Sequence, residues 1–93
     1  MLKIPSVSTE YVKVPVTGPG DFTALDVDMA ILPDGEEPSS GSWVSAAWIG
    51  TSAAVLIGPS TSFALSNGLY GIWVRITSTP EEPVLGPFPL FIT

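Results

Sequence analysis

The sequence predicts an all-β fold, two antiparallel sheets packed as a sandwich, on three observations. Short segments alternate apolar and polar residues with period two, the pattern of a strand with one buried face. Ten prolines and nine glycines break the chain into short runs, the spacing of turns between strands. No segment carries an apolar stripe at helical spacing. Ninety-three residues fit one domain of this kind, with about seven or eight short strands.

Each element has its own justification. Residues 1–9 read as an extended N-terminal arm, and residues 10–93 as the sandwich domain. Residues 10–17 place Val12, Val14 and Val16 on one face and Tyr11, Lys13 and Pro15 on the other. Pro15 has no N–H for a ladder, so this strand belongs at a sheet edge. Residues 22–32 alternate Thr23, Leu25, Val27, Met29 and Ile31 with Ala24, Asp26, Asp28 and Ala30, predicting a long strand with one wet face. Pro33-Asp34-Gly35 then opens a polar loop to about residue 42. Residues 43–50 are apolar on both faces. Val44 and Trp48 suit the core, and Trp48 falls where an inter-sheet strand of such a sandwich places its buried indole. Residues 53–57 read as a strand covered on both sides, ended by Gly58-Pro59. Residues 78–83 form a stiff acidic loop. The last strand, residues 84–93, carries Pro87 and Pro89 on one side and so reads as an edge.

Residues 65–77 are the clearest strand. After the turn signal Asn67-Gly68, Tyr70, Ile72, Val74 and Ile76 alternate with Gly71, Trp73, Arg75 and Thr77. Gly68-x-Tyr70 at the strand start, with Ile72 two positions on, looks like the tyrosine corner of immunoglobulin-like sandwiches. The expected core therefore includes Tyr70, Ile72, Trp48 and Val27. Trp73 and Arg75 point to the other face.

Composition excludes several function classes. Nine acidic residues stand against three basic ones, Lys3, Lys13 and Arg75, a net charge of −6. Three scattered cations cannot displace counterions from nucleic-acid phosphates or hold an anionic membrane. With no Cys and no His, there is no disulfide framework and no thiolate or imidazole for a transition metal. No cofactor is expected. The first residues lack the apolar core of a signal peptide, and the longest apolar run is too short to span a bilayer, so synthesis in the cytoplasm is expected.

The catalytic raw material is thin. Asp26 and Asp28 share a strand face about 7 Å apart, a carboxylate pair that would need a cleft to act. Glu81-Glu82 reads as a solvated loop pair. Asp34, Glu36 and Glu37 lack the spacing of an EF-hand calcium loop. No nucleophile elbow or phosphate loop is present, so the chain is expected not to be an enzyme. The better lead is aromatic. Trp, Tyr and Arg are the side chains most enriched at binding hot spots, which makes Trp73, Arg75 and Tyr11, with Lys13 beside it, candidates for partner contact. Leu2 and Ile4 of the arm and Phe91 of the last strand join them. Phe88 and Phe91 point to opposite faces, so one of the two must lie outside the core.

Ser8-Thr9-Glu10-Tyr11-Val12-Lys13-Val14-Pro15-Val16, then Trp43…Trp48, Ile57-Gly58-Pro59, Gly68-x-Tyr70-x-Ile72-Trp73-Val74-Arg75-Ile76-Thr77 and Pro80-Glu81-Glu82-Pro83-Val84 occur in order. In that order they resemble small virion structural proteins of actinobacterial tailed phages. Pro87, Pro89 and the end at Thr93 depart from the pattern. The resemblance implies an immunoglobulin-like capsid decoration protein on the virion surface. Its partner would be the major capsid protein or another virion protein, with copies associating in the particle, trimers included. The alternatives are a tail, baseplate or head-tail adaptor module, and a host-surface or carbohydrate-binding sandwich. A groove lined by Trp43 would favour the last.

Overall fold

The computed structural model describes residues 2–17, 22–77 and 82–93. Among these residues the chain forms eight strands and no α-helix. They are β1 (Leu2–Ile4), β2 (Glu10–Pro15), β3 (Asp26–Pro33), β4 (Val44–Ser45), β5 (Ala47–Ile49), β6 (Ser52–Ile57), β7 (Gly68–Thr77) and β8 (Val84–Ile92), with a 3-10 turn at Phe22–Ala24 before β3. A five-stranded sheet, β1-β8-β7-β3-β4, packs on a three-stranded sheet, β2-β6-β5. The strand order is that of an immunoglobulin-like sandwich, in which the second, fifth and fourth strands of the domain face the third, sixth and seventh.

Alternation builds the core. Val12 and Val14 from β2, Val27, Met29 and Ile31 from β3, Val55 and Ile57 from β6, and Ile72, Val74 and Ile76 from β7 all turn inward and are buried. Leu90 and Ile92 of β8 close one flank, and Phe63, bridged to Ile57, closes another. No polar or charged residue is buried among those described. β2 is a sheet edge, with Pro15 opposite Ser52, as its proline requires.

The tyrosine corner forms. The Tyr70 hydroxyl donates to the Ser66 carbonyl at 2.8 Å, and the ring packs against the core. Trp48 also packs against the core, and its Nε1–H donates to the Leu25 carbonyl at 2.9 Å. Its position differs from the expected one. Residues 43–49 are not a single inter-sheet strand. β4 pairs with β3 and β5 with β6, and the chain changes sheets at Ala46, whose N–H donates to the Val27 carbonyl at 2.9 Å. A segment that serves both sheets has an apolar side toward each in turn, which is why it reads as apolar on both faces. The place expected of Trp48's strand belongs to β3.

The arm also differs from a free extension. β1 lies parallel to β8, with Leu2 opposite Leu90 and Ile4 opposite Ile92, the one parallel pairing between strands among the described residues. The Thr93 N–H donates to the Ile4 carbonyl at 3.0 Å, and the Ser6 N–H to the Thr93 carbonyl at 2.8 Å. Ile4 is only 4% exposed and belongs to the core. It is therefore withdrawn as a partner-binding residue. The arm then passes over Gly58, where a Cβ would lie 2.4 Å from the Ser8 carbonyl oxygen and where φ is +125°. Only glycine fits that approach.

Candidate docking face

The outer face of the five-stranded sheet carries the chemistry. Because Ile72, Val74 and Ile76 turn inward, β7 turns Leu69, Gly71, Trp73, Arg75 and Thr77 outward. On β8, Ile72 faces Phe88 and Val74 faces Leu85, so Trp73 alone stands against the two residues Gly86 and Pro87. This is a β-bulge, and Gly86 at φ +132° supplies its conformation. The bulge makes a seat for the indole. A Cβ on Gly86 would come within 3.3 Å of the Trp73 ring, and one on Gly71 within 2.9 Å of the Pro87 side chain and 3.6 Å of Trp73 Nε1. Trp73 is thus half-covered by its own chain. Its Nε1–H is buried with no acceptor among the described residues, a state that costs about 1–3 kcal/mol.

Register brings Arg75 directly opposite Asp28. Arg75 Nη2 donates to Asp28 Oδ2 at 2.9 Å, and the guanidinium lies 4.6 Å from the centre of the Trp43 ring. The two ion-pair side chains are 27% and 23% exposed, so the pair is partly desolvated. Arg75 is therefore a neutralised, stacked component of the face, and its Nε is also buried with no acceptor among the described residues. The same pair removes one half of the Asp26–Asp28 couple, since Asp28 is committed to Arg75. Ala30, opposite Trp73, is fully buried on a face that alternation assigns to water.

Beside Trp73 lies an open cavity of about 370 Å³ lined by Glu37, Pro38, Trp43, Trp73, Arg75, Glu82 and Val84. A smaller hollow of about 200 Å³ shares Glu37 and Trp73 and adds Glu36. Glu37 comes from the β3–β4 loop and Glu82 from the β7–β8 loop; β3 and β7 are antiparallel, so these loops leave from opposite ends of the pair, and both glutamates still line the same cavity. Glu81 lies outside the described residues, as does most of the acidic loop expected over residues 78–83. Asp34, Glu36 and Glu37 are exposed, and the described residues contain no group of three acidic side chains placed to share an ion.

The remaining predicted contact residues separate. Tyr11, 53% exposed, and Lys13 lie on the outer face of β2, on the opposite side of the sandwich, next to Leu56 and Ala54. Phe91 is half-buried on the Trp73 side, paired with exposed Leu69. The Leu2 side chain lies outside the described residues. Three apolar residues of β8 are also exposed, Val84 on the Trp73 side and Leu85 and Phe88, opposite Val74 and Ile72, on the other, along an outer edge that β1 covers only at residues 90–92 among the described residues. Phe88 faces inward but sits where that cover is missing. Pro87 and Pro89 offer no N–H to an added strand along this free stretch. A scan against family models, a search of curated proteins and a search of solved structures return no match to the chain.

Proposed function

We propose that this chain is a non-enzymatic virion structural protein of a tailed phage, a decoration protein that docks on the major capsid protein at the outer surface of the head. The observation that carries the reading is the apolar edge of β8, where Val84, Leu85 and Phe88 are exposed next to the Trp73 face, on a domain with only 13% charged residues. Apolar side chains on a free sheet edge mark a contact surface, and Pro87 and Pro89 direct it toward side-chain docking and away from strand addition. The resemblance of the ordered motifs to small phage structural proteins is what supports a virion as the particle. Many copies, each with a modest interface, give attachment by avidity, with self-association into trimers on the shell. Co-sedimentation of the purified chain with phage heads lacking it is the test. The proposal requires saturable binding at a fixed number of copies per head, and binding to isolated tails alone assigns the chain to the adaptor class.

A second reading has its own observation. Two indoles beside exposed carboxylates in one cavity also suit a carbohydrate-binding module. Titration with cell-wall oligosaccharides, followed by tryptophan fluorescence, separates the two: a saturable change without any binding to heads supports the sugar site.

A further inference from the structure

We propose that the cavity beside Trp73 receives a lysine or arginine side chain carried on an extended segment of the protein partner. The inference rests on the docking reading and names the chemistry of that contact. Three observations lead to it. Glu37 and Glu82 approach the same cavity from different loops, and neither is ion-paired with a described residue. The chain has nothing of its own to offer them, because of its three basic residues Arg75 is committed to Asp28, Lys13 lies on the opposite sheet and Lys3 on β1. The cavity is also walled for a cation. It already holds one guanidinium, Arg75, against the Trp43 ring, while Trp73 adds a second indole and Val84 an aliphatic surface for a side-chain stem.

The electrostatics favour this occupant over a neutral one. Arg75 and Asp28 cancel, so the two glutamates set the sign of the site. The net charge of −6 steers a basic surface toward it.

The test uses the whole chain, ¹⁵N-labelled, and two pentapeptides: acetyl-Ala-Arg-Ala-Arg-Ala-amide and its counterpart with glutamine in place of arginine. The indole N–H resonances of Trp43, Trp48 and Trp73 report the site. The arginine peptide is expected to shift Trp43 and Trp73 and leave Trp48 unmoved, while the glutamine peptide shifts none. Raising salt from about 0.1 to about 1 M should weaken binding by about tenfold or more. Glu37→Gln with Glu82→Gln should abolish the shifts while leaving the rest of the spectrum in place. Equal binding by the double variant, or no response of Trp73 to the arginine peptide, overturns the inference. A neutral oligosaccharide that moves the same two signals when the arginine peptide does not would give the cavity to a glycan. A chain that coats heads yet ignores the peptide refutes only the basic occupant. A chain that binds the peptide but no particle refutes the virion reading alone.

Discussion

Trp73 separates a seated indole from both a core residue and a free surface anchor. Truncating a fully buried tryptophan to alanine costs about 3–5 kcal/mol. Trp73 is half-buried, with Gly86 and Gly71 against its indole, so Trp73→Ala should cost about 2 kcal/mol. A domain of this length holds about 5–14 kcal/mol, so the variant stays folded, with Tm lowered by about 8–16 °C. Trp73→Phe should behave differently. It keeps an aromatic ring in the bulge and removes a buried N–H that has no acceptor, relieving a penalty of about 1–3 kcal/mol that offsets the lost ring area. We expect Trp73→Phe to fall within about 1 kcal/mol of the parent. Urea unfolding followed by far-ultraviolet circular dichroism measures both without relying on the altered fluorophore. A loss well above about 1 kcal/mol for Trp73→Phe would refute the unpartnered N–H, and equal losses for Phe and Ala, or no loss for Ala, would refute the seat.

Other substitutions probe the frame around that face. Gly58→Ala forces a Cβ against the Ser8 carbonyl at positive φ and should cost about 2–3 kcal/mol, read as a lowered Tm. Tyr70→Phe removes the corner hydrogen bond and should lower stability by about 1 kcal/mol with an unchanged denaturant slope. Asp28→Asn breaks the pair with Arg75 and should cost about 0.5–1 kcal/mol at low salt, with the difference shrinking as salt rises; a salt-independent loss would show that the hydrogen bond matters and the charge does not.

How far the sequence reveals this molecule depends on what each segment touches. β7 and β2 are legible because one face meets the core and the other does not, so period two survives in the residues themselves. Tyr70 is legible because the corner is local, with its acceptor only four residues away. Residues 43–49 are not, because a chain that changes sheets at Ala46 presents no single inward face. Ile4 is misread for a related reason. Three strand residues are too few to show a period, and their partner, β8, lies at the far end of the chain. At the docking face, alternation puts Trp73 and Arg75 outward correctly, but outward is not the same as free. The bulge at Gly86 and Pro87 and the Asp28 register both depend on pairings that alternation leaves open. Glu37 and Glu82 follow strands whose ends lie at opposite ends of an antiparallel pair, so only the path of their loops brings them to one cavity.

Cryo-EM of the assembled particle tests the docking reading most directly. The reading predicts density for the eight-stranded sandwich on the outer surface of the head, with the Trp73 face and the Val84–Phe88 stretch turned toward the shell and a basic side chain between Glu37 and Glu82. Density confined to the tail, or a sandwich whose Trp73 face looks out to solvent, contradicts it.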